Sequence, residues 1–173
     1  CVAIFTLAHE LGHAFPARAT GANASIALDF LAGYASFEPV RPLKRWERAG
    51  ISVAGPAVQI VLGGLTVYAL GANPFDYDSI HTSPAAFAAW WAGPIIGLIN
   101  LVPILPLDGG HIVMSALDVV IPGRSRNVML YFSIVATVGA IVYFALVGSL
   151  SPIFFVFPLV TQLQMLQHRH TQT

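Results

Sequence analysis

The stretch CVAIFTLAHELGHAFPARAT, residues 1–20, holds the sequence HELGH in an otherwise apolar segment. The spacing predicts a helix on which His9 and His13 stand one turn apart on one face, with Glu10 beside them. Two imidazoles placed in this way can ligate one metal ion, and a neighbouring carboxylate can act as a general base. The alternative is a pair of helix histidines hydrogen-bonded in a core. Burying three ionisable groups in an apolar segment is costly, which favours the metal site.

The composition indicates a membrane protein. Hydrophobic residues make up 56% of the 173 residues and charged residues only 9%, against about 25% in ordinary soluble proteins. The formal net charge is zero, so we expect no nucleic-acid partner. Cys1 is the single cysteine, which excludes an internal disulfide and a CxxC metal site. The partner that this composition favours is the lipid bilayer.

Charge-free intervals predict where the chain crosses the bilayer, because a membrane helix needs about 20 apolar residues. They predict helices near residues 49–70, 84–105, 128–149 and 152–166. Residues 1–20 add a partial helix, and residues 107–121 add a shorter one after a proline-rich break. The predicted fold is an all-α polytopic membrane protein, a bundle of about five to six transmembrane helices. We expect residues 1–173 to form a single membrane-embedded domain that lacks N-terminal sequence, since the chain opens on Cys1 inside an apolar helix.

Residues 21–39 interrupt the helical pattern with an alternation typical of strands. Two runs show the two-residue period of a strand. Every second residue is Ile26, Leu28 and Phe30 in the first run, and Tyr34, Ser36 and Glu38 in the second. Ala32-Gly33 separates the runs, so the segment predicts a small β-hairpin after the first helix.

The basic residues predict the orientation of the chain in the membrane. Four of them stand just before the helix near residue 49, namely Arg41, Lys44, Arg45 and Arg48. By the positive-inside rule this side is cytoplasmic. His9, His13 and Asp108 then lie toward the cytoplasmic face. The compact architecture favours a multi-pass protein of a prokaryotic plasma membrane.

A catalytic zinc ion takes three protein ligands and leaves the fourth position for water. The candidates for the third ligand are Glu38, Asp108, His111 and Asp118. Asp108 is favoured, because the prolines before it break the helix and the glycines after it admit close backbone approach. Two alternatives stay open: Asp108 caps the next helix, or His111 is the ligand or orients Asp108.

HELGH in an apolar helix, followed about ninety residues later by NLVPILPLDGG, resembles the site-2 protease family of intramembrane zinc metalloproteases. The resemblance implies one zinc ion per chain, with His9, His13 and Asp108 as ligands and Glu10 as the base. It also implies a catalytic core whose motifs lie within residues 1–121, with accessory helices in residues 128–166.

The resemblance extends to further positions. Asn100 and Pro106 fall where the family carries a functional Asn and Pro; Asn100 would donate to the substrate carbonyl, or instead form an interhelical hydrogen bond. The segment SVAGPAVQ, residues 52–59, resembles the family's Gly-Pro segment. Gly55, Pro56 and Pro106 are therefore candidates for substrate binding. Gln59 departs from the pattern, since many members carry Asn there.

The family also has a membrane-associated sheet near its site, which could receive an unwound substrate by strand addition. The implied activity is hydrolysis of a peptide bond in or near a transmembrane segment of a membrane-protein substrate, as in regulated intramembrane proteolysis, with a possible regulatory membrane partner. Three rivals come from other classes: a catalytically silent homologue that binds a membrane client, a metal carrier or channel, and a zinc peptidase that uses Glu38 as its third ligand.

Overall fold

The structure is a computed structural model that describes residues 2–21, 23–28, 33–38, 41–148 and 153–170. It divides into two compact units, Cys1–Leu101 and Val102–Thr173. The first unit carries HELGH and the second carries Asp108.

The first unit begins with helix α1, which spans Val2–Ala19. Strand β1 covers Asn23–Leu28 and strand β2 covers Gly33–Glu38. The strands are antiparallel, in a register that pairs Asn23 with Glu38 and Leu28 with Gly33. Residues 29–32, which include the predicted strand residue Phe30 and the predicted separator Ala32, lie outside the described residues, and so does the side chain of Glu38.

Helix α2 spans Arg45–Ala69 and so begins before residue 49, the predicted start. Its first turn is closed by Glu47, whose carboxylate accepts the backbone N–H of Lys44 at 2.8 Å. Arg41 donates to the same carboxylate from both terminal nitrogens, at 2.8 and 2.6 Å. This hydrogen bonding raises the pKa of Arg41 above its ordinary value. The helix extends through the basic cluster because one carboxylate satisfies an end N–H and pairs with an arginine.

Short helices follow α2, with a π-helical segment among them. They are α3 (Tyr77–His81), α4 (Pro84–Trp90), the π-helical segment Trp91–Ile95 and α5 (Ile96–Asn100). The helix predicted near residues 84–105 is therefore helical from residue 84 to residue 100, but it contains a π-helical turn and ends five residues early. Pro94, inside the π-helical segment, lacks an N–H and crowds the carbonyl four residues back, so the turn widens. Residues 101–107 form turns, where Pro103 and Pro106 remove two further donors.

Helix α2 contacts its neighbours along a stripe that repeats every fourth residue. We call this the α2 stripe, and its buried members are Glu47, Ile51, Gly55, Gln59, Gly63 and Val67. The backbones approach closely at its glycines: a Cβ on Gly12 of α1 would lie 2.8 Å from the Gly55 Cα, and one on Gly63 would lie 2.6 Å from the Gly93 Cα. Small residues allow such approach between apolar helices.

The second unit contains α6 (Asp108–Val120), α7 (Ser125–Leu146) and α8 (Ile153–His170). The bounds of α6 agree with the prediction of 107–121, whereas α7 begins three residues before the predicted 128. Its core forms around Leu105, Met129 and Leu130, with partly buried side chains packed against them from Val113, Met114, Leu117, Ile134, Met165 and Leu166. The Leu105–Pro106 peptide bond is cis.

Two helices of the described residues are long and apolar enough to cross a bilayer, Arg45–Ala69 and Ser125–Leu146. Large apolar side chains of α7 are exposed, among them Phe132, Val135, Val142 and Tyr143. An apolar surface of this extent is typical of a lipid-facing helix.

Candidate metal centre

The two histidines of HELGH face each other on α1. Their Nε2 atoms are 3.0 Å apart, and their rings meet edge to face with centroids 4.6 Å apart. Both side chains are buried. Two nitrogen ligands of one tetrahedral zinc ion lie about 3.3 Å apart, given zinc–nitrogen bonds of about 2.0 to 2.1 Å. The pair therefore has nearly the spacing that a shared zinc ion requires.

A backbone carbonyl of α2 fixes the tautomer of His13. Because the Ile51 carbonyl can only accept, the Nδ1–H of His13 donates to it, across 2.7 Å. In the neutral ring this leaves the Nε2 lone pair to serve as a metal ligand. Metal-binding histidines usually make such a bond through the second ring nitrogen, which orients the ring and raises the ligand's basicity.

Gly55 makes room for the His13 ring. A Cβ on Gly55 would lie 2.3 Å from the His13 Nε2 and 2.4 Å from its Cε1, a separation that nonbonded atoms do not adopt. The sequence reasoning considered Gly55 for substrate binding and missed this contact. The signal was present, because Gly12 and Gly55 are small residues in two apolar helices, which is typical of close helix packing. Pro56, the next residue, is also fully buried.

Glu10 lies on α1 next to His9, and its side chain is only 7% exposed. A carboxylate beside a metal pair on one helix is the arrangement in which HExxH supplies a general base. Within the motif Glu10 carries the only acidic group.

Asp108 begins α6, in the second unit. The N-cap position is occupied by Leu107, with no side-chain cap bond, and Asp108 lies in the first turn. The N-cap position, which the alternative assigned to Asp108, is therefore taken by Leu107. The positive end of the helix dipole favours a charged carboxylate at this position. A Cβ on Gly110 would lie 2.6 Å from the Leu105 backbone N, so the turn before Asp108 packs directly on the helix.

In the first unit His9 and His13 each offer an imidazole nitrogen that could bind a metal ion, and in the second unit Asp108 offers a carboxylate oxygen. Two imidazoles and a carboxylate suit zinc, and a set of three leaves a position for water. Of the other candidates for the third ligand, the side chain of Glu38 lies outside the described residues. His111 is one turn further along α6, and Asp118 accepts a hydrogen bond from Ser125 Oγ at the far end of that helix.

The remaining predicted residues fall within the broken segment and α2. Asn100 is the last residue of α5 and is half-buried, and Pro106 lies half-buried in the turns before α6. Gln59 is buried, and its Nε2 donates to the Ala92 carbonyl in the π-helical segment at 2.8 Å. At Gln59 the departure from the family pattern therefore coincides with an interhelical hydrogen bond.

Comparisons with a family profile and with individual proteins each find similarity to metalloproteases. The profile described as Peptidase family M50 matches residues 76–146. A Synechocystis protein provisionally named a zinc metalloprotease is 33% identical over 130 residues, which are 72% of this chain and 32% of that protein. A zinc metalloprotease of Methanocaldococcus jannaschii is 31% identical over 111 residues, 64% of this chain and 31% of that protein. The chain spans about a third of the length of these relatives.

A solved structure shows the fold. The site-2 protease from Methanocaldococcus jannaschii superposes with a TM-score of 0.74 at 19% identity, over 94% of this chain and 74% of that chain. The expected helical fold is confirmed at this level. Together the profile and the relatives confirm the resemblance that the two motifs carry: the chain is similar to Peptidase family M50, the zinc metalloproteases of the site-2 protease type.

Proposed function

We propose that this protein is a zinc metalloprotease that hydrolyses a peptide bond in or near a transmembrane segment of a membrane-protein substrate. The observation that carries the proposal is the His9–His13 pair, with Nε2 atoms 3.0 Å apart and the His13 Nδ1 bonded to the Ile51 carbonyl. This arrangement leaves two imidazoles oriented toward one ligand position. The names of the relatives support zinc as the metal and proteolysis as the activity.

The proposed metal ligands are His9, His13 and Asp108, with one zinc ion per chain. When bound, zinc would polarise the scissile carbonyl and acidify the attacking water. Glu10 takes the proton from that water at a carboxylate oxygen, and the water oxygen bonds to the carbonyl carbon. As the C–N bond breaks, Glu10 returns the proton to the leaving amine nitrogen. Burial of Glu10 keeps the base away from bulk water during this transfer.

Other residues would hold the substrate. The Asn100 amide donates to the oxygen of the carbonyl under attack, and Pro106 with the Gly55-Pro56 segment borders the substrate backbone. The hairpin of β1 and β2 offers a strand edge, and an unwound substrate segment would pair with it by strand addition. A substrate helix must unwind first, because its amides are otherwise held in intrahelical hydrogen bonds.

The setting we propose is a prokaryotic plasma membrane. Residues 1–173 form one membrane-embedded domain with about five to six transmembrane helices, and its catalytic end faces the cytoplasm. The hairpin is associated with the membrane, and a regulatory membrane protein controls access of the substrate. The apolar surface of α7 and the basic cluster before α2 support this placement.

The test is the zinc content per chain of the full-length protein, purified in detergent. The parent is expected to carry about one zinc, and His13→Ala and Asp108→Ala are expected to carry little. Glu10→Gln should keep its zinc and lose about 10²- to 10⁴-fold in cleavage of single-span model peptides with Gly or Pro in the span. A parent that holds no zinc after zinc-supplemented expression would overturn the proposal and favour a silent, client-binding homologue.

A further inference from the structure

The backbone of Leu105, three residues before Asp108, is held by side chains of two other helices. Leu105 is only 3% exposed, so its N–H and C=O both need partners inside the protein. Neighbouring Pro103 and Pro106 have no N–H and break the helical ladder around it. The partners come from α7 and α8, the accessory helices of the second unit.

Three fully buried polar side chains supply these partners. Ser133 Oγ of α7 accepts the Leu105 N–H at 2.9 Å and donates to the Met129 carbonyl at 2.7 Å. Gln162 Nε2 of α8 donates to the Leu105 carbonyl at 2.6 Å and to Thr137 Oγ1 at 2.9 Å. Ser133, Thr137 and Gln162 all have a relative exposure of 0%. We call these three residues the α7–α8 clamp.

The clamp is connected to Asp108 through a short, tightly packed stretch of backbone. The Leu107 N–H donates to the Ile104 carbonyl at 2.9 Å, and the Gly110 N–H donates to the Leu107 carbonyl at 3.0 Å. Gly110 lies against Ile104 and Leu105, where an added Cβ would meet the Ile104 carbonyl carbon at 2.7 Å. A displacement of Leu105 must therefore move the first turn of α6, which carries Asp108.

We propose that Gln162 is a positioning residue: through the Leu105 carbonyl it fixes the Asp108 carboxylate at the angle that metal binding needs. This inference rests on the proposed function, since it takes Asp108 as a zinc ligand. It also gives α8 a role in the site, although no residue of α8 belongs to the recognised motifs. Gln162 is fully buried in an apolar helix, and its described hydrogen bonds go to the Leu105 carbonyl and to Thr137, which is itself part of the clamp.

The experiment measures zinc affinity by chelator competition in the full-length protein. Gln162→Met keeps the volume and removes the donors, so zinc should bind about tenfold more weakly, at the lower end of what ligand-orienting groups contribute. The matched control is Gln164→Met, the same change at an exposed position of α8, which should leave the affinity unchanged. Equal zinc affinity in Gln162→Met and the parent would overturn the inference.

A double variant separates positioning from a general loss of structure. In the Asp108→Ala background, Gln162→Met should weaken the residual zinc binding by less than about twofold, because the carboxylate it orients is gone. An undiminished tenfold effect there would show that Gln162 acts elsewhere. If Asp108→Ala itself leaves zinc affinity unchanged, Asp108 is not a ligand, and both this inference and the ligand set fall. If Asp108→Ala loses zinc and Gln162→Met does not, only this inference falls.

Hydrogen exchange supplies a readout that needs no metal. Thr137→Val, tested beside Gln162→Met, is a smaller change to the same clamp. In zinc-free protein, Thr137→Val and Gln162→Met should speed amide exchange in residues 104–110 relative to Gln164→Met, while α7 away from position 137 exchanges as in the parent. Thr137→Val keeps the shape of the side chain, so it stays informative if Gln162→Met fails to fold. Unchanged exchange in residues 104–110 would contradict the proposal.

Discussion

Gly55 shows how a residue without a side chain can decide the geometry of a proposed metal ligand. The His13 ring occupies the space in which any other residue at position 55 would place its Cβ. The same stretch of α2 supplies the Ile51 carbonyl that holds the ring's Nδ1. A hydrogen bond therefore holds one edge of the His13 ring, and the lack of a Cβ on Gly55 leaves room for the other edge.

Gly55→Ala should displace the His13 ring and lower both zinc affinity and peptide cleavage by about tenfold or more, as changes that misorient a ligand do. The control is Gly64→Ala on the same helix, where an added Cβ meets nothing within 4 Å. It should leave the zinc affinity unchanged and stabilise the protein by roughly 0.5 to 1 kcal/mol. Chelator competition on the two variants checks this, and equal zinc affinities would count against the assigned contact.

At the scale of elements, the contact between α2 and the π-helical segment combines two glycines with one polar side chain. Gly63 and Gly93 bring the two backbones together. Gln59, which precedes Gly63 by four residues on the α2 stripe, donates to the Ala92 carbonyl. A widened turn leaves carbonyls without their usual helical donor. Gln59 supplies such a donor to the π-helical turn that contains Pro94.

Gln59→Met should therefore lower the free energy of unfolding by about 1 to 3 kcal/mol, because a buried carbonyl would lose its donor. Thermal unfolding in detergent measures the change, with the exposed Gln164→Met as reference. A melting temperature equal to that of the reference would show that another donor satisfies Ala92. Zinc per chain should stay near that of the parent, since Gln59 is not a proposed ligand.

The limits of sequence reasoning also lie at the scale of elements. The HELGH spacing and the LDGG turn predict the two histidines, Glu10 and Asp108 as candidate site residues. Such candidates can be read from the sequence because metal ligands recur at fixed spacings along a helix and at turns that interrupt one. The π-helical turn at Pro94 was missed because apolar helices tolerate proline when neighbours replace the lost hydrogen bonds. Gln162 was missed because its partner, the Leu105 backbone, lies 57 positions away in sequence. Buried glutamines in apolar segments were the available signal.

At the scale of the whole molecule, metal binding and folding are coupled, because a site assembled by folding binds the ion only in the native state. At a free zinc concentration about 100 times the dissociation constant, the ion would add about 2.7 kcal/mol to stability. For a chain of this length we expect the melting temperature to rise by about 5 to 10 °C. Scans of zinc-free and zinc-loaded protein check this, and His13→Ala should lose the difference. A full shift in His13→Ala would place the stabilising zinc elsewhere.

The α2 stripe has a geometrical consequence for how one helix serves two sets of neighbours. Four residues of an α-helix turn through about 400°, so each step along the stripe advances about 40° around the axis. The five steps from Glu47 to Val67 add up to about 200°. The stripe thus winds half-way around the axis of α2. Ile51 on the stripe binds His13 of α1, and Gln59 further along binds Ala92 of the π-helical segment. Insertion of one residue between these two points would rotate one half against the other by about 100°, so α2 must keep its length between Ile51 and Gly63 for both neighbours to stay in place.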